Sequence, residues 1–542
     1  MTNQLAGTGA LLRLALRRDR VMMPVWVLVT GLLPVSMPGA LGSVYGTAAE
    51  RAAAAASMNA NSSMRALYGP VFGDSLGALT AWRVGVYGAL LAAVMSLVIV
   101  IRHTREEEET GRQELLSAAM VGRRAPLTAA LLAALVADLC VALLVAGGLA
   151  GQGAPGALAL GLAIAGTGVF FAGTAAVAAQ LTESARAAKG IAAAVLGAAF
   201  VLKAAGDAGG AAGKSALTWS SPLGWVEHVR AFAGGRWWVL GLLAAAALAQ
   251  AGAAYALAGR RDVGMSFLPA RPGPAEGRLG TAGALAWRLQ RGSALGWTAG
   301  FLIAGVVFGG MAAGAADLVG GNDKTRELIE RMGGHTEPTG LSSHTGHAGL
   351  ADAAGLTEAF LATVAGMFGL VAALYIVSSV LRLGGEESGQ RAEPLLANAV
   401  GRLRWAGGHL AVAFGGSALI LLSAGLGLGL GHGEDMGGMV GATLARLPAV
   451  WVIGALAALL YGAAPRYAAA AWAVAGTALA LGWIGPALNL PQAVLDLSPF
   501  AHLPRLPGGQ DLVWGPLSAL TALAVVLTGA GLAALRRRDL VA

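Results

Sequence analysis

The residues best suited to do something specific lie in His103–Arg124, HTREEEETGRQELLSAAMVGRR. Four consecutive glutamates, Glu106, Glu107, Glu108 and Glu109, precede Arg112 and Glu114, and an apolar patch then leads to Gly122 and Arg123. Carboxylates at this density, without a nucleophile–base pair or a metal-ligand spacing, suit ion pairing and docking better than bond-making. At the start of a short helix they would be favoured by its positive end. Arg105 with Glu109, and Glu108 with Arg112, stand at the i,i+4 spacing of helical ion pairs. Leu115, Leu116, Ala119 and Met120 fall on one side. The expected element is a short amphipathic helix, acidic at one end and closed by Gly122. Anionic headgroups repel such a cluster, so a protein partner is the expected contact.

The pattern recurs. Glu386, Glu387, Arg391, Glu393, Gly401 and Arg402 repeat Glu107, Glu108, Arg112, Glu114, Gly122 and Arg123 at an offset of 279 residues. Ser221-Pro222 returns as Ser498-Pro499 at 277, and Arg17, Arg20 and Trp26 as Arg288, Arg291 and Trp297 at 271. Near-constant offsets along a whole half-chain imply a duplicated unit.

The elements that carry these loops are set by composition. Hydrophobic residues make up 56% of the 542 and charged residues 12%, with a mean hydropathy of +0.66. Soluble domains carry about a quarter charged residues, so this chain cannot cover a water-facing surface. About 20 apolar residues cross a bilayer as a helix. Spans are expected near 21–41, 83–101, 125–149, 155–180, 188–205 and 236–258, then near 294–314, 359–381, 405–430, 440–462, 468–486 and 515–535. The expected fold is all-α and membrane-integral, with about twelve helices as two parallel six-helix repeats. Residues 1–258 would form the first half, 259–291 a cytoplasmic linker and interfacial segment, and 292–542 the second half.

With the N-terminus inside, 25 of the 37 Lys and Arg residues fall on the inner side or at its rim. The positive-inside rule then places both termini in the cytoplasm, and the same bias accounts for the net charge of +8 without a nucleic-acid role.

The EEExGRxELLxxxxVGR pattern between the second and third spans resembles the coupling helix of ABC-2 type permeases. Ala66-Leu67-Tyr68-Gly69-Pro70, Thr80-Ala81-Trp82-Arg83, Ser221-Pro222-Leu223-Gly224-Trp225 and Arg261-Asp262-Val263-Gly264 are similar to the twelve-span, single-chain subfamily of polyketide-antibiotic exporters, the tetronasin-resistance-like permeases. The resemblance implies a transport subunit in a bacterial plasma membrane that performs no catalysis and binds no cofactor itself. Two copies of a separate cytoplasmic ATP-binding subunit, holding ATP and Mg, would dock on the loops after spans 2 and 8. The cargo would be lipophilic small molecules crossing the lipid bilayer. The second loop departs from the pattern: Gly384-Gly385 replaces the start of the acidic run, and Pro394 stands where Leu115 stands in the first.

Asp138 and His409 are expected at membrane depth, where ionisable residues point to function, and are candidates for the substrate path. His344 and His347, near Glu337 and Asp352, show no closed ligand set, so no metal is expected. The other reading of two parallel six-helix halves is a proton-coupled transporter of the major facilitator type. That class carries a short basic loop after spans 2 and 8, where this chain has a longer acid-led one.

Overall fold

Long apolar runs bounded by Gly, Pro and Ser form helices here because a helix satisfies every backbone hydrogen bond within its own segment. Ser75 caps one start by accepting from the Ala78 N–H, and Pro stands in the first turn of several others. The computed structural model describes all residues except 1–3, 114–120, 211–214, 263, 269–279, 321–347, 399, 484–490, 509–511 and 540–542. Glu114, Glu337, His344 and His347 therefore lie outside the described residues, as does the side chain of Asp352.

The protein is an all-α integral membrane protein of about twelve spans. Eleven helices among the described residues are long and apolar enough to cross a membrane. The chain forms two compact units, Met1–Gly273 and Pro274–Ala542.

In the first unit, α1 (Thr8–Arg18) precedes the spans α2 (Met22–Val44) and α3 (Leu76–His103). The short α4 (Arg105–Glu109) follows, then the spans α5 (Ala125–Gly148), α6 (Ala154–Leu181) and α7 (Ala185–Ala208). Another short helix, α8 (Pro222–His228), leads into the last span, α9 (Trp238–Ala258). The core lies between α3, α5 and α6. After α9, Phe267 and Leu268 donate backbone hydrogen bonds to the carbonyls of Gln180 and Leu181, which ties the start of the connecting stretch back to the end of α6.

The second unit has α10 (Ala282–Gly320), α11 (Ala348–Ser388), the short α12 (Ala392–Leu396) and α13 (Arg402–His432). Then come α14 (Met436–Leu444), α15 (Leu447–Ala463), α16 (Ala470–Trp483) and α17 (Trp514–Arg537). Helices α10 and α13 pack backbone to backbone. Gly305 and Gly309 on one face Gly427 and Gly431 on the other, so closely that a Cβ on Gly309 would lie 2.3 Å from the Leu428 carbonyl oxygen. One on Gly431 would lie 2.1 Å from that of Val306. Both pairs have the small-xxx-small spacing that lets helices approach where no hydrophobic effect drives them together.

The structure adds detail to three of the expected segments. Ala282–Arg291, the end of the expected linker and interfacial segment, is helical and continuous with the seventh span in the 39-residue α10. The tenth span is two helices, broken at Ala445–Arg446 ahead of Pro448. Within the described residues the eleventh, α16, covers Ala470–Trp483.

Candidate coupling site

Thr104 breaks the helix at the end of α3, and Gly111, at φ +71°, turns the chain after α4. Within α4 the expected pairs are not the ones formed. Arg105, almost fully buried, pairs with Glu108 and donates to the Met265 carbonyl at 3.0 Å. Arg112 Nε donates to Glu107 Oε2 at 2.9 Å, five residues back, across the turn that Gly111 makes.

The four glutamates are held by α1, by α7 and by the residues just past α9. Glu106 lies 3.5 Å from the Lys189 ammonium on α7. Glu107 also pairs with Arg18 at the end of α1. Glu108 receives both arms of the Arg261 guanidinium, at 2.9 and 2.6 Å, just past the end of α9. Glu109 Oε2 accepts from the Ala185 N–H at 2.9 Å and so caps α7. Arg261 in turn donates to the Gln180 side chain on α6 at 2.7 Å, and its carbonyl accepts from Arg123 at 2.6 Å. The Gly122 N–H donates to the Ala6 carbonyl at 2.9 Å. One short loop thus joins the ends of α1, α3, α5, α6, α7 and α9.

The second unit repeats the two central contacts. Arg391 Nε donates to Glu386 Oε2 at 2.8 Å, again five residues apart. Arg538, one residue past α17, grips Glu387 with both arms at 2.9 and 2.7 Å. The Tyr461 hydroxyl adds a bond to Glu387 at 2.6 Å, and Arg402 donates to the Arg538 carbonyl at 2.7 Å. Arg382 completes the neutralisation of Glu386 at 3.4 Å. Helix α12 contains Pro394 and runs for 5 residues only. Arg391, Glu393 and Gly401 are exposed around it.

These contacts revise how the acidic residues act. Glu108, Glu386 and Glu387 are spent on ion pairs within their own units and do not form a free acidic face. Among the described candidate docking residues, Glu109, Arg112, Arg123, Arg391, Glu393 and Gly401 are exposed. Arg261 and Arg538 were not among the candidate residues, although Arg-Arg-Asp at 260–262 and 537–539 repeats at the same 277 offset as Ser-Pro. That offset was the available signal.

The chain is 45% identical over 550 residues to the multidrug efflux system permease protein Rv1217c of Mycobacterium tuberculosis strain H37Rv, covering 98% of this chain and 95% of that protein. It belongs to the Rv1217c family of permeases. The family model for the C-terminal domain of the multidrug efflux system permease Rv1217c matches residues 279–536. The matched stretch includes Glu387 and stops just short of its partner Arg538.

Asp138 and His409, the candidates for the substrate path, are both buried. Asp138 on α5 is completely buried and accepts from Ser96 Oγ on α3 at 2.8 Å, in space left by Gly168 on α6. His409 on α13 is also buried, with Nδ1 3.0 Å from Gln290 Nε2 on α10. Gln290 Oε1 accepts in turn from Ser379 on α11. Each residue is enclosed by three helices of its own unit, where a polar pair holds the helices together.

Proposed function

We propose that this chain is the membrane-embedded subunit of an ATP-driven exporter of lipophilic compounds, of the ABC-2 type, with two copies of a separate ATP-binding subunit on its cytoplasmic loops. The observation that carries this reading is the repeated lock, Glu108–Arg261 and Glu387–Arg538. In each unit it ties the loop after the second span to the end of the last. A push on that loop moves the ends of several helices together, as rigid-body coupling requires. ATP hydrolysis, with its Mg ion, belongs to the partner. This chain supplies the exposed docking residues and the locks that pass the movement on. Membership of a multidrug efflux permease family supports export of drug-like molecules across the plasma membrane, and the basic-residue bias supports cytoplasmic termini.

The test separates docking from transmission. Coexpressed with candidate ATP-binding subunits, Arg112→Glu with Glu393→Arg is expected to abolish copurification and stimulated ATPase activity while lowering the thermal midpoint of the isolated chain only slightly, since Arg112 is half-exposed. Retained copurification in that variant would sink the docking assignment.

A second reading, proton-coupled transport, draws on one feature. Lys203 on α7 is buried between Asp207 at 3.3 Å and Glu227 of α8 at 2.8 Å. Burial pushes the Glu227 carboxyl up to about 8 against the pull of Lys203. Transport that persists in proteoliposomes holding this chain alone, driven by a pH gradient and lost in Glu227→Gln, would favour this second reading.

A further inference from the structure

The end of the first unit that carries Ser221 holds a neutralised cation, and the end of the second that carries Ser498 holds an unneutralised one at a different position. In the first unit Lys203 has two carboxylates within 3.3 Å, and Ser221 Oγ donates to the Ala199 carbonyl at 2.7 Å. At the 277 offset Ser498 corresponds to Ser221, but Pro504 stands where Glu227 would be and Arg505 where His228 would be. No carboxylate is supplied there.

The second unit nonetheless buries a cation at this end. Arg446 stands at the break between α14 and α15, about 22 Å along the helix from Tyr461 and the Glu387 lock. It is 5% exposed. Its Nη2 lies 3.4 Å from the Leu506 carbonyl, and its Nε has no partner. Among the described residues no carboxylate lies within ion-pair distance of it. Gly369 on α11 makes room for its stem, since a Cβ there would fall 2.9 Å from that of Arg446. A guanidinium cannot shed its proton to escape burial, and a buried unpaired charge is strongly unfavourable.

Arg446 lines a cavity of about 210 Å³ together with Ser498 and Arg505, and Met367, Leu370 and Phe500 form part of its apolar wall. The Ser498 hydroxyl is buried and without a partner, unlike its counterpart Ser221. The volume equals roughly seven waters, enough for an oxyanion and the first carbons behind it. The positive end of α15 points the same way as the arginine charge.

We infer that this cavity binds an anionic amphiphile, a carboxylate or phosphate group on Arg446 and Ser498 with its apolar body against Met367, Leu370 and Phe500. The site rests on the geometry of the second unit alone, so it stands whether or not an ATPase couples to the chain. Its occupant is either a lipophilic acid or a membrane phospholipid, which present the same headgroup chemistry.

The full chain in phosphatidylcholine nanodiscs, without nucleotide, is titrated with radiolabelled dodecanoate and, separately, with dodecanol. The acid is expected to bind at least about tenfold tighter, the scale of one charge-assisted hydrogen bond. Arg446→Gln is expected to erase that preference, Arg446→Lys to keep part of it, and Ser498→Ala to weaken the acid by about threefold to tenfold. Repeating the titration in phosphatidylglycerol nanodiscs separates the two sources. Competition there, with phosphatidylglycerol retained on the wild type but not on Arg446→Gln in native mass spectra, assigns the site to lipid. Undiminished dodecanoate binding assigns it to a lipophilic acid. Equal affinity for acid and alcohol in the wild type overturns the inference. So does a preference that survives in a monodisperse Arg446→Gln protein. If Arg446→Gln does not fold, an unchanged affinity in Ser498→Ala overturns it instead.

Discussion

Glu387 and Arg538 are charges held in a largely dry setting, so removing one strands the other. Glu387→Gln or Arg538→Gln is expected to cost about 3–5 kcal/mol, read as a lower thermal midpoint in detergent. Arg112→Gln, at a half-exposed guanidinium, should cost less than about 1 kcal/mol. Glu227 gives a pH signature. Its folded-state carboxyl titrates near 8, above the usual range near 4.5, so the folded state holds a proton that the unfolded chain has released. Stability is then greatest below about 4.5 and falls as pH rises toward 8. Glu227→Gln should flatten the thermal midpoint across pH 5–8, and an unchanged slope would count against the buried triad. The glutamates were visible in the sequence as a repeated cluster. Their partners were not, because spacing rules reach only four residues along a helix, and Arg261 and Arg538 lie on the far side of four spans.

Among the elements, α10 and α13 depend on glycine. A Cβ at Gly309 or Gly431 would enter the facing backbone, where no flexible side chain can give way. Gly309→Val and Gly431→Val should each force the helices apart and lower the yield of monodisperse protein, while Gly407→Val, at a position with open space around it, should leave it unchanged. Hydropathy located nearly every span, because length and apolarity are properties of a segment alone. It did not anticipate the length of α10, whose opening turns around Arg288 and Arg291 are too polar to score as a span. It also missed the break at Arg446, since Pro448 is tolerated in a first helical turn and the apolar run continues across it.

The molecule as a whole is two units with separate cores, one around α3, α5 and α6 and the other around α11, α13 and α15. Sidedness can be checked directly. With the single cysteine, Cys140, replaced by alanine, cysteines placed at Thr110 and Gln390 should react with an impermeant maleimide only from the cytoplasmic side. One placed at Asp435 should react only from the opposite side, and reversed labelling would overturn the orientation.

The lock between the second-span loop and the last helix occurs in both units with the same residue types and the same bidentate geometry. In terms of descent, a device present in both copies was inherited from the single ancestral half. The far ends differ: one copy holds its cation between two carboxylates, and the other leaves Arg446 open to a cavity. The two copies thus share an ion-pair lock at one end and differ in chemistry at the other.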